Sequence, residues 1–189
     1  MKRFSAFLFL LAFAVSHAQV SAFQKADSRY ERKKKALYKK YPKPNNERTK
    51  QEWLLTEAKI ATYENALKKI SEEERKGLTD VPPPVGQKVS KEAEYEAGKA
   101  AFQKLLTEAL DLSFLNFPAS SYHTTLRFAV DAQGNAVQPK VKGNNEDVNT
   151  FIEAAFYKIK DKGKWKPAEE NGKPVISAVV MSFDLKLNQ

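Results

Sequence analysis

The chain has 189 residues, 42% hydrophobic and 29% charged, with a net charge of +9 and no cysteine. The size and composition fit one compact domain with an appendage and at least one hydrophobic core. The lack of cysteine excludes disulfides, thiolate chemistry and a lipid anchor on an N-terminal cysteine.

Met1-Lys2-Arg3 is a short basic start, Phe4 to Val15 is apolar apart from Ser5, and Ser16-His17-Ala18 places small residues at the two positions a signal peptidase reads. This is the pattern of a secretory signal peptide over residues 1–18, with cleavage expected after Ala18. A membrane span needs roughly 20 apolar residues. The run stops short of that at Gln19 and Ser21, and no later run is longer. The mature chain is therefore expected to be exported to the periplasm or cell envelope, soluble and without a membrane span.

Residues 25–41 hold strong helix formers and no Gly or Pro, with Tyr30, Leu37 and Tyr41 as a thin apolar stripe. Pro42-Lys43-Pro44-Asn45-Asn46 ends this helix, since proline removes a donor and clashes with the preceding turn. The basic character sits here: residues 25–50 carry 11 Lys or Arg against Asp27, Glu31 and Glu47, while 19 basic and 20 acidic residues follow. A second helix is expected from Glu47 to Lys76. Trp53, Ile60 and Leu67 lie seven apart on it, with Tyr63 and Ile70 between them. So short a seam predicts a helical hairpin packed on itself or on the C-terminal domain rather than a coiled-coil dimer. Residues 19–76 thus read as a basic helical segment, and 77–90, "GLTDVPPPVGQKVS", as a Pro-rich linker before a domain at 91–189.

A third helix is expected from Lys91 to Leu110, with Ser90 as its N-cap and Tyr95, Phe102, Leu105, Leu106 and Ala109 as its apolar face; Pro118 ends the stretch after it. The period then changes to two. In "YHTTLRFAV" Leu126, Phe128 and Val130 point one way, Thr125, Arg127 and Ala129 the other. Asp131 to Asn135 is a hairpin turn with Gly134 where a positive φ is needed, and Ala136 to Val141 returns as a strand. Val148, Phe151, Ile152, Ala155, Phe156 and Ile159 then mark an amphipathic helix. Trp165 and Pro167 precede a turn at Gly172, and Pro174 opens the last strand. In that strand Val175, Ser177, Val179, Met181, Phe183, Leu185 and Leu187 share one face. Ile176, Ala178, Val180, Ser182, Asp184 and Lys186 share the other. The expected fold is α+β: an N-terminal helical segment, then a small antiparallel three-stranded sheet with helices on one face. Trp165 is expected as an apolar plug whose indole N–H reaches a carbonyl.

No catalytic constellation is evident. His17 leaves with the signal peptide, and His123 reads as a partly exposed strand residue opposite Leu126 and Phe128. There is no Cys nucleophile, no G-x-S-x-G and no paired His for zinc. Glu72-Glu73-Glu74 reads as a solvated helix end, because consecutive helical residues point in different directions. The chain is expected to be no enzyme and to hold no cofactor or metal. The Arg32-Lys33-Lys34-Lys35 run reads first as a solvated helix face; as a functional surface, export argues against nucleic acid, and an anionic envelope surface held by residues 25–50 suits it better.

"VDAQGNAV", the helix after it, "WKPAEENGKPV" and the closing V-x-M-x-F-x-L strand resemble the C-terminal domain of TonB energy transducers, over about Glu94 to Leu187. "EAGKAAFQKLL" resembles the lead-in helix of compact versions of that domain. The resemblance implies a TonB C-terminal-like fold in which Gly134, Trp165, Pro167, Gly172 and Pro174 are structural signature positions. It also implies a docking module whose sheet edge takes an extended peptide from an outer-membrane receptor by β-augmentation, in the service of TonB-dependent transport. Two departures from a full transducer are expected: no retained membrane helix, and only the short Val81-Pro82-Pro83-Pro84 as a spacer. "NFPASSYH" also stands where glycines are common in the family. The expected docking residues are Ile176, Ala178, Val180 and Ser182 of the last strand. The competing expectation is a structural or ligand-binding envelope protein. In it, that face lies under Trp53, Ile60 and Leu67 of the N-terminal helices, and the basic helices hold an anionic surface.

Overall fold

The structure, a computed structural model, describes residues 4–77, 88–112 and 121–186, with side chains from residue 21 onward apart from those of residues 77, 121, 183 and 186. The proline triplet of the expected linker and the strand entry around Pro118 lie outside the described residues. The chain divides into two compact units, Met1–Ala66 and Leu67–Gln189. The division falls inside the second helix, ahead of the segment that composition marks as a linker.

In the first unit α1 (Phe4–Lys40) is followed by α2 (Asn46–Gly77). Pro42 and Pro44 keep the connection out of helical geometry. Asn45 then starts α2, its side-chain Oδ1 accepting from the Arg48 amide at 2.8 Å. Phe23, Tyr30 and Leu37 of α1 are buried, as are Thr56, Lys59, Ile60 and Tyr63 of α2. Phe23 meets Tyr63 edge-on at 5.2 Å. The Lys59 side chain, 4% exposed, pairs with Asp27 at 3.1 Å. Its ammonium lies 4.7 Å from the Tyr30 ring centroid, and Tyr63 donates its hydroxyl to Asp27. A buried ammonium persists only when paired in this way. Trp53 is 61% exposed and so leaves the expected seam, of which Ile60, Tyr63 and Ile70 are buried. Thr56 and Lys59 of α2 are buried beside them. Both are polar, and a stripe traced through apolar residues alone misses them.

The second unit begins with the last turns of α2. Beyond them come β1 (Glu94–Tyr95), α3 (Lys99–Glu108), β2 (Ser121–Val130), β3 (Ala136–Gly143) and α4 (Glu146–Ile159). Four strands complete it: β4 (Trp165–Lys166), β5 (Ala168–Glu170), β6 (Lys173–Val175) and β7 (Ser177–Lys186). The α+β reading holds, with an antiparallel three-stranded sheet ordered β3-β2-β7. Two small antiparallel pairs, β1-β4 and β5-β6, add to it, so the chain has more sheets than expected. The long third helix is also corrected. Gly98, at φ 84°, turns the chain, and the helix starts only at Lys99. Upstream, Tyr95 pairs with Trp165, and Ser90 donates its hydroxyl to the Glu169 carbonyl at 2.6 Å instead of capping a helix.

Asn145 caps α4, accepting from the Val148 amide at 3.1 Å. The apolar stripe of α4 is buried, as predicted. The core lies between one face of the sheet and α3 and α4. Phe102 of α3, Phe128 of β2, Phe156 of α4 and Trp165 of β4 meet there, with Trp165 5.3 Å from Phe102 and 5.1 Å from Phe128, ring centre to ring centre. Trp165 is the expected plug, but its indole nitrogen is buried without a protein hydrogen-bond partner among the described residues. Gly134 fixes the other side of this plug. It has φ 83°, and a Cβ there would run into the Trp165 carbonyl oxygen. Asp131 holds the same turn through its carboxylate, which accepts from the Gln133 and Asn135 amides at 2.9 and 2.8 Å. Asn171 and Gly172, both with positive φ, form the β5-β6 turn, and Pro174 lies opposite Glu169 in β6.

Candidate functional site

Because β2 is central, the sheet has two edges, β3 and β7. Every second residue of an edge strand turns its N–H and C=O away from the sheet, which makes a template for another strand unless something covers it.

The β3 edge is covered at three successive places. The Gln138 amide donates to Glu74 Oε2 of α2 at 2.8 Å. Pro139 has no amide hydrogen to offer. The Val141 amide donates to Glu153 Oε1 of α4 at 3.0 Å. The strand is bulged here, its register against β2 shifting between Arg127 and Ala129, and Gln138 takes a left-handed φ of 53°. Tyr157 donates its hydroxyl to the same Glu74 oxygen at 2.8 Å. Burial pushes the Glu74 carboxyl above the usual carboxylate range, opposed by its bonds from Gln138 and Tyr157. Burial also raises Glu153, opposed by Lys140, whose Nζ lies 3.8 Å away. The Tyr157 hydroxyl is pushed up by burial first and by Glu74 next. Glu74 is therefore no solvated helix end. Glu72 and Glu73 beside it are exposed, as expected.

The β7 edge differs. Its ten residues pair with β2 in unbroken register from Ser177–Val130 to Lys186–Ser121. Among the described residues no strand pairs with its other side. Its inward residues Ser177, Met181 and Leu185 are buried. On the outer face Val180 is 37% exposed and Ser182 is exposed. Ala178 is half-buried, and half-buried Ile176 precedes the strand. Two cross-strand pairs tie this face together: His123 Nδ1 with Asp184 Oδ1 at 2.9 Å, and the Thr125 and Ser182 hydroxyls at 3.0 Å. His123 is 72% exposed, on the side predicted for it.

The four expected docking residues are thus not equivalent. Ala178 lines an open cavity of about 270 Å³ with Arg127, Gln138 and Lys140, under Ser71 and Arg75 of the last turns of α2. Among the described residues nothing similar lies over Val180 and Ser182, which are exposed. Glu74 and Glu153 were not singled out in the sequence as edge groups. The available signal was Pro139, since a proline inside a strand pattern marks an edge. Among the described residues no group of His, Asp and Glu side chains is placed to hold a metal ion, and no helix is long and apolar enough to cross a membrane. No family model, curated protein or solved structure matches the chain.

Proposed function

We propose that the chain is an exported protein-interaction module in which β7 takes up an extended peptide as an added strand. The observation that carries this reading is the asymmetry of the two edges. Glu74, Pro139 and Glu153 occupy the β3 edge, while β7 runs straight and unbulged with Val180 and Ser182 exposed beside its open side. Natural sheets cover or break an edge that must not pair. A long regular edge left beside one so treated suits recognition by β-augmentation, with backbone bonds supplying affinity and neighbouring side chains supplying selectivity. The reading is non-enzymatic and needs no cofactor.

The partner class we propose is a segment of another envelope protein, first of all the periplasm-facing peptide of an outer-membrane receptor in TonB-dependent transport. Support comes from the resemblance carried by "VDAQGNAV" and "WKPAEENGKPV". The fold in this reading is TonB C-terminal-like. Export with cleavage after Ala18, and residence in the periplasm or envelope, belong to the same proposal and rest on the residue pattern of positions 1–18.

Titration of the exported protein with synthetic receptor peptides, followed by backbone amide NMR, tests the reading. Amides of β7 are expected to shift and gain protection, with those of Gln138 and Val141 unchanged. Peptide binding that moves β3 and leaves β7 untouched overturns it.

A further inference from the structure

Among the described residues, four large apolar side chains are exposed: Tyr38 at 40%, Trp53 at 61%, Leu54 at 43% and Val180 at 37%. Three of the four sit where α1 passes into α2, within the first unit. Trp53 and Leu54 are consecutive on α2 and so widen the exposed apolar surface around the helix rather than stacking on one face, but both are exposed within the same turn. The charge around them is predominantly basic. Lys39, Lys40, Lys43 and Lys50 are exposed. Three glutamates accompany them: Glu47 accepts from Gln51 at 2.9 Å, Glu52 pairs with Arg48 at 3.2 Å, and Glu57 is exposed, so that with Arg48 the basic groups outnumber the acidic five to three. Arg48 also lies 4.8 Å from the centre of the Tyr38 ring, and Lys40 lies 5.0 Å from that of Tyr41. Exposed Pro42 and Pro44 shape the connection between the two helices.

We infer that this hairpin tip seats in the interface of an anionic phospholipid bilayer, with Trp53 and Leu54 among the upper acyl chains, Tyr38 at the headgroups and the four lysines on lipid phosphates. Tryptophan and tyrosine favour the boundary between hydrocarbon and water, because each has an apolar body and one polar group. Lysine keeps its ammonium at the phosphates while its stem lies along apolar surface. A protein partner suits the patch less well, since lysine is depleted in protein interfaces. Apolar insertion and charge attraction together give the two signals that reversible surface binding requires. This surface belongs to the first unit and is independent of the strand-docking reading.

The test uses the exported protein with the N-terminus it carries, and vesicles of phosphatidylglycerol mixed with phosphatidylcholine or of phosphatidylcholine alone. Binding is read by sedimentation, and insertion by quenching of tryptophan fluorescence with brominated acyl chains. Trp165 is 6% exposed and serves as a silent internal reference. The expected result is salt-sensitive binding to the anionic vesicles with quenching of Trp53. Trp53→Ala with Leu54→Ala should weaken binding about tenfold and abolish the quenching. Lys39→Gln and Lys40→Gln should each weaken it about fivefold. All four side chains are exposed, so thermal melts monitored by circular dichroism should not change. Anionic binding without quenching, or unaffected by the Trp53/Leu54 variant, overturns the inference. So do equal binding to neutral vesicles, binding only to lipopolysaccharide or nucleic acid, and self-association through Trp53 in the absence of lipid.

Discussion

Trp165 connects three parts of the second unit: Phe102 of α3, Phe128 of β2 and the turn at Gly134. Trp165→Ala should destabilise that unit by about 3–5 kcal/mol, the usual cost of removing a large buried aromatic. Urea unfolding followed by circular dichroism measures it; a loss under about 1 kcal/mol would show that the ring is not a packed plug. Gly134→Ala acts on the same spot from the backbone side. It combines a φ of 83° with a Cβ against the Trp165 carbonyl, so a loss of about 2–3 kcal/mol is expected in the same experiment. Glu74 makes a prediction about pH. Its folded pKa is raised from the ordinary 4.5, chiefly by burial. Between 4.5 and that raised value the folded chain therefore holds a proton that the unfolded chain releases. The stability that Glu74 contributes is full below 4.5 and is lost as pH rises through its raised value. Glu74→Gln keeps an acceptor for Gln138 and Tyr157 but removes this slope. The wild-type minus variant difference in unfolding free energy should therefore fall with rising pH; a difference that grows with pH would contradict the assignment.

At the scale of elements, the central claim is the contrast between β3 and β7. Val180→Lys adds a long charged side chain beside the open edge at an exposed position. It should abolish peptide binding in the NMR titration while changing stability by less than about 0.5 kcal/mol, as is usual for surface positions. A large loss of stability with binding intact would mean that the face is covered within the chain. The elements also show what periodicity can reveal. The α4 stripe and the alternation of β2 and β7 were legible, because burial on one face imposes a strict period. The start of α3 was not. Residues 91–97 have helix-forming side chains, but long-range pairing of Lys91 with Glu169 and of Tyr95 with Trp165 wins over local propensity. Gly98 was the local sign of that break. At the site, the exposure of Val180 followed from alternation alone. The closure of β3 did not, because Glu74 is distant in sequence from Gln138 and no local pattern links them.

For the molecule as a whole, two surfaces are assigned to two units: an open strand edge in Leu67–Gln189 and a basic, tryptophan-bearing hairpin tip in Met1–Ala66. The strand-docking role proposed above calls for an exported chain. Intact-mass analysis of the protein from the envelope fraction should find Gln19 at its N-terminus; retention of residues 1–18 would instead support an anchored chain. The most direct test of the central claim is photo-cross-linking in the living cell. A benzophenone amino acid is placed at Val180 or Ser182 of β7, and for comparison at Lys142 of β3. The account predicts adducts with an envelope protein from the β7 positions alone, mapping by mass spectrometry to one extended segment of the partner. Adducts from Lys142 with none from Val180 or Ser182 would contradict it.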